Sequence, residues 1–371
     1  MGKRTFMVLL AGILCILSGC GSMFNHFYTS ESDFKGSQEI ELDDTTQVVK
    51  SYAALRRVVY NMINNHLETA ELLISGYSGD VVSDIASICG SANTDTAYGA
   101  YCVEYASYEL TQIVSYYEVT INITYKYTQE ELSDLLTTPN NESFSDLIAQ
   151  ELAAGKTHTV TKVNNGSGES DAVEKRIRQA CRNHPTVISF VPEVSVKVYS
   201  GNTSQRIYEV EAVPDERLER NAERLQSLAG ALNAAKRGIH TAGDAWTVIN
   251  AARYLAGSCE LSATGSTAYD ALITGKADSE GMAAAFKALC DKLDVGCQVV
   301  EGQQDKTAHY WNIVSIDNAY YHVDVSEMQT GEAAALLLSD LEKQASCWWD
   351  LTEYPTCEGP LTYDAVTAAG A

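Results

Sequence analysis

Part of this chain occurs twice. In one ungapped register, shifted by 92 positions, His66 falls on His158, Ser75 on Ser167, Gly76 on Gly168 and Ser78 on Ser170. Val81, Ile85 and Cys89 then fall on Val173, Ile177 and Cys181. One deletion later, Tyr117-Glu118-Val119 matches Tyr208-Glu209-Val210. Recurrence at a fixed period means one structural unit used more than once. The first copy opens on Val49, Tyr52, Leu55, Val59 and Met62 at helical spacing, which predicts a helix from about Thr46 to His66. Val119, Ile121, Ile123 and Tyr125 alternate, the pattern of a half-buried strand. Each unit therefore reads as a helix, a strand, a second helix and two further strands. We expect two small α/β modules, at residues 46–130 and 140–213, with Pro139-Asn140-Asn141 as punctuation between them. Neither copy carries a catalytic constellation. His66 and His158 read as a matched turn residue.

The chemistry lies further on. Helical sequence runs from about Asp215 to Gly238 and from about Ala242 to Leu255. Then come Gly275-Lys276-Ala277-Asp278-Ser279-Glu280-Gly281 and a helix marked by Met282, Phe286, Leu289 and Leu293. Asp278 or Ser279 is a natural N-cap for that helix. Downstream, Asp317-Asn318 makes a two-residue hairpin loop between strand-like runs, so Ile316 pairs with Ala319 and Trp311 lies opposite Asp324. His309 then falls opposite Ser326, on the face of Asp324 and diagonal to it. Diagonal neighbours are about 7–8 Å apart, near enough for a carboxylate to orient an imidazole. A helix start bearing a hydroxyl, facing a His–Asp pair, is a layout for acyl transfer.

These residues resemble the transglutaminase-like domains of bacterial surface lipoproteins. The similarity rests on the Gly275-Lys276 and Glu280-Gly281 frame, on His309-Tyr310-Trp311-Asn312 and on Tyr321-His322-Val323-Asp324-Val325. Trp349-Asp350 and Tyr354-Pro355-Thr356-Cys357 extend it. The resemblance implies a papain-like α+β core over residues 215–358 with a Cys-His-Asp triad. The whole chain is thus expected to be α+β, two repeated modules followed by that domain, with residues 359–371 as a tail.

Ser279 stands where the family has its cysteine. A thiol reacts as a thiolate held by an imidazolium and a helix N-terminus. A serine hydroxyl cannot form that ion pair and needs His309 as a true general base. Cys290 cannot substitute, being 11 residues down the same helix, about 16 Å away. Ser279, His309 and Asp324 are therefore either a degenerate triad or the machinery of a serine-dependent hydrolase or acyltransferase on amide bonds. Trp311 reads as pocket lining or as core; Glu280 and Gly281 are expected beside the pocket. His322 reads as a packed or surface strand residue.

The ends and the charge place the protein. Met1 to Arg4 form a short basic start, Phe6 to Leu17 an apolar run, and Leu17-Ser18-Gly19-Cys20 a close. This is an export signal, too short to span a bilayer, which takes about 20 residues. Its last four residues resemble the bacterial lipobox, which implies lipidation of Cys20, removal of residues 1–19 and attachment to a membrane on its extracytoplasmic face. Residues 20–45 are polar and read as a tether. The net charge of −23 repels phosphate backbones, so nucleic acid is not an expected partner. A surface peptide, protein or cell-wall component is. Eight cysteines remain after Cys15 and Cys20, without a CxxC pair, and the histidines are scattered, so neither zinc nor any cofactor is expected. Outside the cytoplasm Cys347 and Cys357 are candidates for a disulfide, with Cys259 and Cys297 as competing partners. A solute-binding lipoprotein would need two large lobes, which small repeated modules do not provide.

Overall fold

The computed structural model describes residues 47–369. The expected signal, Cys20 and the tether lie outside the described residues. Among the described residues no helix is long and apolar enough to cross a membrane.

The chain is a mixed α+β protein with several sheets. It begins with strand β1 (Gln47–Ser51), helix α1 (Tyr52–Asn64), β2 (Thr69–Ser78), α2 (Val81–Ser91), α3 (Ala97–Cys102), β3 (Val103–Ile113) and β4 (Tyr116–Tyr125). The sheet order is β1-β2-β4-β3, with β1 parallel to β2 and the other pairs antiparallel. The opening strand was not expected. Val49 fits the helical period but pairs with Ile74, and Ser51 ends the strand by accepting the Ala54 N–H as helix cap. After α4 (Gln129–Ser133) come β5 (Leu136–Asn140), α5 (Asn141–Ala153), β6 (His158–Asn165), α6 (Ser170–Asn183), β7 (Val194–Ser200) and β8 (Arg206–Ala212). Their sheet order is β5-β6-β8-β7, again with one parallel and two antiparallel pairs. Pro139-Asn140-Asn141 does not separate the sheets: Pro139 lies in β5 and Asn140 caps α5 through the Ser143 N–H.

The 92-residue register describes the helices and not the strands. Val81, Ile85 and Cys89 on α2, and Val173, Ile177 and Cys181 on α6, are all buried on the inner faces. In the sheets, however, Leu72 lies opposite Val119 while Thr159 lies opposite Val210. Leu72 and Thr159 thus each pair with the valine of a Tyr-Glu-Val segment, and the 92-residue shift does not bring them together. His66 sits in the turn after α1 with φ of 54°, whereas His158 opens β6, so these histidines hold different positions.

The last part runs through α7 (Glu216–Glu219), α8 (Asn221–Gly238), α9 (Asp244–Ser258), the short parallel pair β9 (Glu260–Leu261) and β10 (Lys276–Ala277), and α10 (Ser279–Lys292). Then follow β11 (Gly296–Gln304), β12 (Thr307–Ile316), β13 (Ala319–Val323), β14 (Leu336–Leu338), α11 (Asp340–Lys343), β15 (Cys347–Trp348) and α12 (Tyr363–Ala369). The five strands form one antiparallel sheet in the order β14-β13-β12-β11-β15. Helix α10 is buried on every side from Gly281 to Cys290, and its alanines let α8, α9 and the sheet approach closely. Ile316 pairs with Ala319, and Asp317 and Asn318 take φ of 49° and 62°, as a type I′ turn requires.

Two expectations fail here. Cys347 and Cys357 are buried free thiols in one apolar cluster with Trp311 and Trp349. Cys347 is held by its pairing with Gln304, and Cys357 donates its N–H to Asp340, so each backbone is fixed without a bridge. Residues 359–369 are not a loose tail. Gly359 packs against the Tyr321 ring, Val366 enters the core, and the Tyr363 hydroxyl bonds Glu332 and Arg253.

Candidate functional site

Ser279 opens α10, with Asp278 as N-cap accepting the Gly281 N–H at 2.9 Å. Ser266 donates to the other Asp278 oxygen. The close approach depends on Gly281: a Cβ there would stand 2.2 Å from the Gly265 carbonyl oxygen. The helix start thus carries a carboxylate of its own, which works against a second anion at Ser279. Gly281 is buried against backbone and lines no open space.

Strand β12 alternates. Asn312 and Val314 face α10, with the Asn312 amide donating to the Ala283 carbonyl at 3.0 Å. His309, Trp311 and Ile313 share the other face, with Trp349 and Lys343. Strand β13 ends at Val323, so the Tyr310 N–H has no strand partner on that side. The Ser279 hydroxyl fills the gap and accepts that N–H at 3.3 Å. It lies beside His309 in this way, but among the described residues makes no hydrogen bond to the imidazole.

His309 is bonded to Asp324. Its Nε2 lies 2.7 Å from Asp324 Oδ2, so Nε2 carries a proton. Asp324 has two further donors. Ser326 Oγ bonds Oδ1 at 2.6 Å, and Lys343 Nζ bonds Oδ2 at 2.5 Å. Both Asp324 and Lys343 are almost wholly buried. Although burial pushes the Asp324 carboxyl up, His309 and Lys343 outweigh it and hold the carboxyl down at about 2. Lys343 also places its ammonium 4.8 Å from the centre of the Trp311 ring.

Trp311 is core. Its indole N–H donates to His322 Nδ1 at 2.9 Å, and His322 Nε2 bonds Asp340 Oδ1 at 2.8 Å. His322 is fully buried, and that burial lowers its imidazole below the ordinary range despite Asp340. His322, Asp340 and Cys357 bring possible metal-ligating atoms within 4.8 Å of one another. The Trp311 N–H argues against a metal there. With Nδ1 accepting that proton, a metal on Nε2 would need an imidazolate, whereas ligating histidines donate from the second nitrogen. His158, Glu209 and Glu211 also lie together, but Tyr199 and Lys197 already engage Glu209.

Sequence reasoning passed over two residues. One is Lys343, in a four-residue helix that reads as an exposed turn. The other is Arg182, on α6. Its Nε donates to Glu280 at 2.7 Å and its Nη1 to Glu301 at 2.9 Å. Its Nη2 donates to the Tyr310 hydroxyl at 3.2 Å, and the guanidinium lies over the Tyr310 ring. Gln179 and Asn183 from the same helix bond the Val299 carbonyl and N–H, closing the free edge of β11. The crevice left between Arg182, Pro185, Phe190, Ser266, Ala268 and Glu280 measures about 20 Å³, room for about one water. Glu280 is thus a docking partner for α6.

No protein-family model matches this chain, and no curated protein matches it. Among solved structures it is similar to a transglutaminase, at 12% identity over 47% of this chain and 52% of that one, with a TM-score of 0.25. It is also similar to a candidate cysteine protease from Cytophaga hutchinsonii, at 12% identity over 44% of this chain and 69% of that one, again with a TM-score of 0.25. The chain spans about half the length of that transglutaminase. A likeness at this level says nothing about chemistry.

Proposed function

We propose that this chain is a lipid-anchored extracytoplasmic protein whose last domain is a transglutaminase-like scaffold without acyl-transfer activity, holding a peptide or cell-wall component. The two preceding sheets are copies of one module and support that domain from the side of α6. The observation that carries the non-catalytic reading is the state of the three polar groups. Among the described residues Ser279 accepts the Tyr310 N–H and makes no hydrogen bond to His309, and Asp324 is shared between His309 and a buried lysine. A serine nucleophile needs its hydroxyl on the base and an oriented, anionic third group behind that base. The serine and cysteine at the two decisive positions, Ser279 and Cys20, support the two halves of the proposal.

Two measurements test it. A fluorophosphonate probe should leave Ser279 unlabelled, and Ser279→Ala should behave like the wild type against amide and ester substrates. Labelled fatty acid should enter the wild type and not Cys20→Ala; equal incorporation would remove the anchor. One feature favours the alternative, a serine-dependent hydrolase or acyltransferase. With Nε2 on Asp324, Nδ1 of His309 is the ring nitrogen left for a general base. Turnover abolished by Ser279→Ala would establish that alternative.

A further inference from the structure

We propose that Lys343 is a resident counter-ion of Asp324, a positioning residue that takes up the charge with which Asp324 would otherwise stabilise an imidazolium at His309. This rests on the reading of the site as non-catalytic, and explains how the His–Asp pair persists without its usual electrostatic role.

The geometry is specific. Asp324 Oδ2 takes His309 Nε2 at 2.7 Å and Lys343 Nζ at 2.5 Å, while Ser326 Oγ takes Oδ1. The carboxylate therefore has three donors and is closed to solvent. Lys343 is equally closed, and Asp324 is its hydrogen-bond partner; its ammonium also lies over the face of Trp311 and acts on His322. A buried ammonium with one anion is matched one to one. Where aspartate stands alone behind histidine, protonating the ring makes a neutral pair, and this is what the third member of a triad supplies. Here the aspartate is already matched, so the same proton would leave a net positive charge in a closed cluster.

The surroundings do not restore the balance. Asp340, from α11, bonds His322 and the Cys357 N–H. Glu280 and Glu301 lie by Tyr310, which alternates with His309 and Trp311 along β12, and there they hold Arg182. Asp278 is engaged by the Gly281 N–H and by Ser266. Glu327, three residues after Asp324, accepts from the Gln304 amide, and each of the other carboxylates named has its own donors. Lys343 is well suited to the place because α11 is capped by Ser339 and Glu342, which fixes the helix that carries it.

The test is imidazole nitrogen NMR on the full chain with labelled histidine, assigned through His309→Gln. Wild type and Lys343→Met are compared at matched pH, with Lys343→Arg as the charge-retaining control. In Lys343→Met the ratio of imidazolium to imidazole at His309 is expected to rise about tenfold or more, one logarithmic unit of linkage. Lys343→Arg should stay close to the wild type. An unchanged ratio in Lys343→Met overturns the proposal. Should that variant fail to fold, the wild-type spectrum decides. A neutral Nε2–H tautomer at pH 7 is expected, and a doubly protonated ring there overturns the proposal. Failure of the functional reading is seen separately, as fluorophosphonate labelling of Ser279 in the wild type.

Discussion

Arg182 donates to the carboxylate of Glu280 across the junction between α6 and α10 at 2.7 Å, with the guanidinium almost out of reach of solvent and the carboxylate largely covered. Burial raises the Glu280 carboxyl above its ordinary value even with the guanidinium beside it. Arg182→Met should therefore do more than remove a surface contact. It leaves Glu280 as a largely covered charge without its partner, at a cost of about 2–3 kcal/mol, below that of a fully buried pair. The sign with pH follows from the raised carboxyl. At low pH Glu280 is protonated folded and unfolded alike, and the deficit is smallest; as pH rises through the folded value the deficit grows. Urea denaturation of wild type and variant at pH 4.5 and 7.5 measures this, and a deficit independent of pH would refute it. Arg182→Met combined with Glu280→Gln should be milder than Arg182→Met alone at pH 7.5.

Gly281→Ala tests whether Gly281 belongs to packing. The added methyl would lie 2.2 Å from the Gly265 carbonyl oxygen and 2.8 Å from the Ala277 side chain. Backbone on one side and a buried helix on the other leave no direction in which to yield. A loss of about 3 kcal/mol is expected, at the upper end for overpacking. Thermal unfolding within a degree or two of the wild type would mean that the 265–267 loop can retreat, and that the helix start is looser than drawn.

What the sequence makes legible is local. Asp317-Asn318 specifies its turn because only left-handed backbone closes a two-residue hairpin, and those residues tolerate it. The Asp278 cap and the apolar period of α10 are equally local. Hence the neighbourhood of Ser279, His309 and Asp324 can be argued before any fold is known. Lys343 and Arg182 could not be found this way. Each lies in a charged segment that, taken alone, describes a solvated helix, and each is buried only because a distant element covers it. Strand β1 was missed for a related reason: Val49 suits either period, and its partner Ile74 is 25 residues away. The 92-residue register rests mainly on helix identities, Val81, Ile85 and Cys89 with Val173, Ile177 and Cys181, and does not carry over to the strand pairings of Leu72 and Thr159.

His322 gives a pH dependence of opposite sign to that of Glu280. Its ring is buried between Trp311 and Asp340, and burial lowers its basicity below the ordinary value of 6.5. The unfolded chain takes up a proton as pH falls through about 6.5, before the folded chain does. Stability from this group is full above that pH and is lost below it, down to the folded value. His322→Gln keeps an acceptor for the indole N–H and a donor for Asp340, and should flatten the stability profile below about pH 6.5. If the variant shows the wild-type slope, the titration belongs to other histidines.

Asp324 gives the last prediction, at lower pH. Its carboxyl is held down at about 2, against 3.8 for the free side chain. A depressed carboxylate contributes stability that is complete above its unfolded value and is lost as pH falls through its folded value. The window is therefore pH 4 to 2, and the difference in proton affinity corresponds to about 2 kcal/mol. Asp324→Asn removes that contribution and strands the Lys343 ammonium, so at pH 7 the loss should reach about 3–5 kcal/mol. Two consequences separate the carboxylate from its partner. The gap between wild type and Asp324→Asn should narrow as pH falls from 4 to 2, because the wild type is then losing its charge. Asp324→Asn with Lys343→Met should be more stable at pH 7 than Asp324→Asn alone, since no unpaired ion is left in the core. Denaturant titrations of the three proteins at pH 7, 4 and 2.5 supply both comparisons. If the double variant is the weaker of the two at pH 7, Lys343 is held by packing against Trp311 rather than by the charge of Asp324.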